Sequence, residues 1–268
     1  MKKTVVLIKL GGSVITDKKG VRVLRSKILT RLCREIVAAK KENPKVIFIV
    51  GHGHGSFGHI PQQQHKVVAG FTSEQGPFGS TLVLDEVAYL NQIVVHEFLK
   101  LKVPAITLRI NQLAVSSAGK LTSVYQKSLL EFLSQGLLPV PCGDVIYDDK
   151  RGCVVYSTEK VLNLIATKLL ANSDYQVSKI IHVTQELGFL DKQGKLIEQV
   201  SLKSWPKLKT NLFEIKGIDT TGGMAHKLEE SLHLTKVGIE SVILSGLKKD
   251  NLFNCLIGKD YVGTDISS

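Results

Sequence analysis

Short runs of β-branched and apolar residues alternate with amphipathic helical stretches along the chain, and several of those runs end in glycine-rich segments. "TVVLIKL" ends at Gly11-Gly12, "KVIFIV" at "GHGHGSFGH" (residues 51–59), and "VPAITLRI", "VSKIIHVT" and "ESVILSG" are further short apolar runs. Between them, "SKILTRLCREIVAAKK" puts Ile28, Leu32, Ile36 and Ala39 on one helical face. "LDEVAYLNQIVVHEFLKL", "TEKVLNLIATKLLANS" (with Thr158 as N-cap) and "MAHKLEESLHLTKVG" also read as helices. Strands alternating with helices predict an α/β sandwich with a largely parallel central sheet. The stretch "LLPVPCGDVIYDDKRGCVVY" predicts a strand leading into a hairpin that turns at residues 148–152.

No linker, repeat or low-complexity tract interrupts the 268 residues. The pattern shifts near "LLANSDYQ" (169–176), which predicts one domain, 1–268, with lobes of about 1–172 and 173–268. The longest apolar runs are too short to span a bilayer, and "MKKTVVLIKLGG" reads as a first strand, not a signal peptide. Cys33, Cys142, Cys153 and Cys255 lack C-x-x-C spacing, so the expectation is reduced thiols in a cytoplasmic protein. The net charge of +11 comes from lysines spread along the chain, without interleaved aromatics and arginines. That predicts a solvated basic surface serving anionic small molecules, with neither nucleic acid nor a membrane as partner.

The glycine-rich segments are where chemistry is expected. In "IKLGGSVITDKK", Gly11-Gly12 lets the backbone turn tightly and approach an anion, with Lys9 at the strand end and Lys18 soon after. The second segment contains G-x-G-x-x-G as Gly53, Gly55 and Gly58. It follows the second strand, and the acid at about the right offset, Glu74, lies in a loop. Both observations argue against a dinucleotide fold, while closely spaced glycine N–H groups still suit a phosphate. His52, His54 and His59 have no companion Cys or acid cluster, so no metal is expected there. A histidine donating to phosphate fits the loop better, with His52 and His54 read mainly as packing or surface residues. The third segment, "GIDTTGGMAHK", places Gly222 and Gly223 before a helix that carries Lys227. Three such loops suit a polyphosphate, and no Walker A sequence is present to hold one in another way.

These residues resemble the amino acid kinase superfamily, and within it the isopentenyl phosphate kinases and the similar fosfomycin kinases. The matching motifs are "IKLGGSVITDK", "GHGHGSFGH" against H-G-G-G-S-F-G-H, "LPVPCGDVIYD", "DTTGGMAHK" and the terminal "VGTDI". The resemblance implies an αβα sandwich of the amino acid kinase type, an N-terminal acceptor lobe, a C-terminal nucleotide lobe and a homodimer. It implies ATP, with Mg2+ carried on it, and a small phosphate monoester, foremost isopentenyl phosphate. The alternatives are a fosfomycin-type phosphonate acceptor, or a phosphate-binding protein with impaired catalysis. Lys9, Lys18 and Lys227 are then catalytic through the transferred phosphoryl group, and His59 through the acceptor phosphate. Gly11, Gly12, Gly55, Thr184, Gly188, Gly222 and Gly223 fall on the nucleotide side. His54, Gly58, His59, Gly143 and Asp144 fall on the acceptor side. The acceptor's tail is expected among apolar residues such as Val67, Val68, Phe71, Val87, Leu90 and Ile93.

Three positions depart from the pattern. His54 replaces the middle glycine of G-G-G, adding a side chain where acceptor and donor phosphates should meet. Ser157-Thr158-Glu159-Lys160 replaces S-G-D-D, leaving Glu159 to organise the lysines. Thr184-Gln185-Glu186-Leu187-Gly188-Phe189-Leu190 replaces T-D-V-x-G-V-Y, which predicts weakened ATP binding.

Overall fold

The computed structural model describes residues 2–17, 20–208 and 230–268. Its centre is an eight-stranded sheet in the order β12-β14-β13-β9-β1-β2-β6-β3. These strands are β1 (Lys3–Leu10), β2 (Ile47–His52), β3 (Ala105–Arg109), β6 (Leu138–Cys142), β9 (Tyr175–Thr184), β12 (Gln199–Ser201), β13 (Glu240–Ser245) and β14 (Gly263–Ser267). Every pairing is parallel except β13 with β14. β1 lies between β2 and β9, so a single sheet joins strands from both sides of residue 172.

Side-chain alternation along β1 builds two cores. Ile8 and Leu10 point into one, with β2 residues Phe48 and Val50. It is covered by α2 (Ser26–Glu42), α4 (Gly76–Lys100) and the last helix, Asn251–Ile257. Val5 and Leu7 point into the other, beneath α5 (Lys127–Ser134) and α6 (Thr158–Leu170). The expected αβα sandwich is therefore present. α2 buries Leu32, Ile36 and Ala39 as its periodicity predicts, while Ile28 is half-buried at the edge of the core. Glu35 on the same helix is also buried, because its carboxylate accepts the N–H groups of Asp250 and Phe253 at the start of the last helix.

A smaller sheet, β5-β4-β7-β8, carries the predicted hairpin as β7 (Asp144–Asp148) and β8 (Gly152–Tyr156). Its turn is held by Asp148, whose carboxylate accepts the N–H groups of Lys150 and Arg151. A second hairpin, β4 (Ala114–Ser117) and β5 (Lys120–Val124), packs beside it. Val67, Val83, Val87, Val145 and Cys153 form a satellite core between α4 and this sheet, with Phe71 against it. Leu90 and Ile93 instead join the main core, and Val68 is half exposed. The six apolar residues expected around an acceptor tail are thus divided among three environments. All four cysteines are buried and unbridged, and no helix among the described residues is long and apolar enough to cross a membrane.

Candidate functional site

The parallel register brings the first two glycine-rich loops to one edge. Lys9 stands beside Gly51 on one side and His182 on the other, His52 beside Cys142, and Thr184 beside Ser245. The segments after β1, β2, β6, β9 and β13 therefore leave the sheet together at its carboxyl edge, the usual binding edge of parallel α/β sheets.

Loops one and two touch through their backbones. A Cβ on Gly12 would lie 2.3 Å from the Gly55 nitrogen, and one on Gly53 would lie 2.7 Å from the Gly12 nitrogen. Gly55 adopts φ +53°, and a Cβ there would come within 1.9 Å of Thr16 Oγ1. Only glycine fits these three positions. Thr16 fastens the junction, its hydroxyl donating to the Gly12 carbonyl at 2.7 Å and accepting the Ser56 N–H at 3.0 Å. The Gly11 N–H corrects the expectation of a free anion donor, since it donates to the Val183 carbonyl at 2.8 Å. Gly11 contributes shape, because a Cβ would lie 2.6 Å from that same carbonyl.

The second loop is also more ordered than its composition suggests. From Gly55 it is already helical, forming α3 (Gly55–Gln64), and Gly58 and His59 ride on its first turns. His59 is half-buried, with its ring centroid 6.1 Å from that of His54.

Alternation along β1 sends Lys9 to the α6 face, where its ammonium pairs with the Glu159 carboxylate in the first turn of α6. Both side chains are about nine-tenths buried, at 12% and 11% exposure. Glu159 thus meets Lys9, as its place in the motif suggests. The helix begins differently from the sequence expectation. Ser157 is the N-cap, its hydroxyl accepting the Lys160 N–H at 3.3 Å. Thr158 cannot cap because its hydroxyl donates to the His52 carbonyl at 2.7 Å and accepts the Gly143 N–H at 2.9 Å. Gly143 consequently has no N–H left for an acceptor and presents only its small Cα and its carbonyl.

His52 and His54 are both buried and held neutral by desolvation, which lowers their pKa to about 3 and about 4 respectively. His52 is a structural hub. Its Nδ1–H donates to the Gly53 carbonyl at 3.2 Å, and its Nε2 accepts from the Asn91 amide at 2.9 Å. The His54 ring is a wedge between Gly58 and Gly143. Its Nδ1 accepts the Gln62 amide at 3.0 Å, which leaves the proton on Nε2. That Nε2 comes up against Gly143, whose main chain is its hydrogen-bond partner.

Asp144 stands apart from the other residues expected on the acceptor side. Its carboxylate is fully buried and takes both oxygens to Arg109, from Nε at 2.7 Å and Nη2 at 2.8 Å. It braces β7 against β3 instead of presenting a free carboxylate to the cleft. Arg109, Thr16 and Gln62 escaped the sequence reading, and Thr158 was read only as a helix cap; the signal for Arg109 was its place at the end of a strand.

In the loop after β9, Thr184 Oγ1 donates to the Glu186 carbonyl at 2.9 Å and Ser245 Oγ to the Gln185 carbonyl at 2.9 Å. Gly188 packs on Thr264, where a Cβ would lie 2.5 Å from the hydroxyl oxygen. That oxygen accepts the Phe189 N–H at 2.8 Å, so the terminal "VGTDI" motif serves to hold this loop. Lys18, Gly222, Gly223 and Lys227 lie outside the described residues.

Residues 4–245 match the model of the amino acid kinase family. The isopentenyl phosphate kinase of Methanothermobacter thermautotrophicus is 28% identical over 272 residues, covering 98% of each chain. A crystal structure of an isopentenyl phosphate kinase superposes with a TM-score of 0.75 at 25% identity, over 98% of this chain and 100% of that one. The carbamate kinase of Giardia lamblia bound to AMP-PNP shares the fold, with a TM-score of 0.68 at 15% identity over 100% of this chain and 99% of that one. On the glycine loops, the sheet that aligns them and these matches, the chain belongs to the amino acid kinase family.

Proposed function

We propose that the protein is an ATP-dependent kinase that phosphorylates a small phosphate monoester, with isopentenyl phosphate as acceptor and isopentenyl diphosphate as product. The observation that carries this reading is the pairing of Lys9 with Glu159 beside the abutting Gly12 and Gly55 backbones. It provides a positioned cation next to a cradle where a phosphate chain can approach main-chain atoms. The nearly full-length likeness to isopentenyl phosphate kinases supports the choice of acceptor.

In this reading an acceptor phosphate oxygen attacks the γ-phosphorus of ATP in line. A new P–O bond forms, the bond to the β–γ bridging oxygen breaks, and ADP leaves. The attacking oxygen is already anionic, so positioning and charge neutralisation supply most of the rate. Lys9, held by Glu159, faces the charge on the transferred group, and Lys18 and Lys227 join it. His59 donates to the acceptor phosphate. Mg2+ travels with the nucleotide. Lobes of about 1–172 for acceptor and 173–268 for nucleotide, a homodimer and a cytoplasmic location belong to the same reading.

The test is ADP release with ATP–Mg2+ and, separately, isopentenyl phosphate, fosfomycin and small carboxylates. Turnover led by isopentenyl phosphate supports the proposal. Turnover led by fosfomycin or by a carboxylate would replace the acceptor.

A further inference from the structure

We infer that Arg22 is a positioning residue for the proposed transfer: it ties the ribbon of residues 16–25 to α4 and, through Thr16, sets the cradle where the Gly12 and Gly55 backbones meet. The inference rests on the reading of that cradle as a phosphate site and adds a residue outside the glycine motifs that holds it in shape.

The ribbon is closed at its base. Thr16 pairs with Leu24 in an antiparallel bridge. The Asp17 N–H donates to the Val23 carbonyl at 2.8 Å, and the Arg25 N–H to the Ile15 carbonyl at 2.7 Å. Thr16, at that base, is the residue whose hydroxyl joins the Gly12 carbonyl to the Ser56 N–H. Any swing of the ribbon therefore moves the fastener of the two glycine loops. Val21 and Val23 on the ribbon are exposed instead of packed, and Lys18, which the proposed reaction assigns to the transferred group, belongs to the same stretch of sequence.

Arg22 fastens the ribbon's far end. Its Nε donates to both oxygens of Glu86 on α4, at 2.9 Å to Oε1 and 2.6 Å to Oε2, and its Nη2 donates to Oε1 as well. The guanidinium carbon lies 5.8 Å from the centre of the Tyr89 ring, one turn further along α4. Tyr89 in turn has its ring centroid 6.1 Å from that of buried Phe57, between Ser56 and Gly58 on α3. One side chain so joins the ribbon, α4 and α3. Arg22 also takes φ +54°, a left-handed conformation that glycine or asparagine would adopt more readily. The side chain is half exposed, and an exposed ion pair adds little stability. Arginine here is thus poorly suited to stabilise and well suited to orient, because its planar fork and its stacking face fix direction as well as distance.

The experiment compares wild type with Arg22→Asn, Arg22→Lys, Arg22→Glu and the exchanged pair Arg22→Glu/Glu86→Arg. Asparagine tolerates the left-handed backbone, so its effect reports the lost clamp and not strain. With ATP–Mg2+ and isopentenyl phosphate, Arg22→Asn should lower kcat about tenfold, as a small misplacement of reacting groups does, with both KM values within about threefold of wild type. Its melting temperature should barely move. Lysine keeps the charge without the fork and should fall between, and the exchanged pair should regain most of the kcat that Arg22→Glu loses. In parallel, amide hydrogen exchange is followed by NMR without substrate. The Asp17 and Ser56 amides should exchange faster in Arg22→Asn while those of β9 keep their wild-type rates. A wild-type kcat in Arg22→Asn would overturn the inference, as would a Ser56 amide that stays protected, or an exchanged pair no better than Arg22→Glu. The exchange readout needs no turnover. If isopentenyl phosphate is not phosphorylated and the Ser56 amide still loosens, the acceptor proposal fails and the tether stands.

Discussion

The junction of the first two glycine loops and the loop after β9 lie on the same edge of the same sheet and hold their shape by opposite means. At the junction, Gly12, Gly53 and Gly55 bring two backbones so close that no side chain fits between them. In the loop after β9, hydroxyls from the flanking strands (Thr184, Ser245 and Thr264) carry the loop through its main-chain atoms. The side chains of Gln185, Glu186 and Leu187 do not carry it, and Leu187 is 45% exposed. The first region therefore admits almost no sequence change, whereas the second can change its side chains and keep its path. Here the sequence departs from the family pattern mainly where the loop is carried by its neighbours. His54 and the Ser157–Lys160 segment at the start of α6 are the exceptions, and the place of His54 is matched by the glycines on either side.

The comparison can be broken most directly at Lys9. Lys9→Met is expected to lower turnover on the order of a thousandfold (~4 kcal/mol). Because it leaves Glu159 buried without its cation, Glu159→Gln should be run beside it. Turnover must fall further than the melting temperature can explain, and a Lys9→Met enzyme that still turns over normally would remove the cation from the chemistry. His59→Ala comes next, with an expected loss of ~2–4 kcal/mol in kcat/KM, the range of one preorganised oxyanion donor. Its fold should survive, and circular dichroism with steady-state kinetics will check both.

The junction itself is tested by Gly55→Ala. The left-handed φ and the approach to Thr16 Oγ1 predict a stability loss of ~1–3 kcal/mol in urea melts. An alanine at Gln185 should cost almost nothing in the same assay; equal losses would erase the contrast between the two regions.

Acid sharpens the comparison again. Folded His52 and His54 stay neutral down to about pH 3 and 4, while their unfolded forms take up protons below about 6.5. The unfolded state then binds more protons, so this stability is complete above pH 6.5 and is lost as pH falls towards 4. Each histidine should account for about 2 kcal/mol of the loss between pH 7 and 5. The urea midpoint should fall over that interval, and His54→Gln should flatten the slope. The smallest expected effect lies at the nucleotide end. ATP affinity should be about tenfold weaker (~1.4 kcal/mol) than in a relative that retains D-V-x at this loop. Calorimetric titration of both proteins with ATP–Mg2+ measures the difference, and equal affinities would show that the base pocket, like the loop's path, is independent of these side chains.

Local sequence carried the sandwich because buried strands and amphipathic helices write their periods directly into it. It did not carry α3, whose residues "GSFGHIPQQQ" include two glycines and a proline and lack an apolar stripe. That helix is held instead by Thr16 and by packing on α4. The β4–β5 hairpin escaped because its residues are short and polar, turning at Ala118 and Gly119 with φ of 48° and +83°. In the site, Lys9 and the glycines announced themselves by spacing. The engagement of Asp144 by Arg109, 35 positions away, and of the Gly143 N–H by Thr158 are tertiary facts that no local pattern encodes.

The central claim is phosphoryl transfer to a phosphate monoester at the carboxyl edge of the sheet, and phosphorus NMR of the wild-type protein tests it most directly. With ATP–Mg2+ and isopentenyl phosphate, the account predicts loss of the monoester signal and growth of the two coupled resonances of a diphosphate ester, matched one for one by ADP. ATP that stays intact, or that breaks down to ADP and inorganic phosphate while the monoester signal is unchanged, would contradict it.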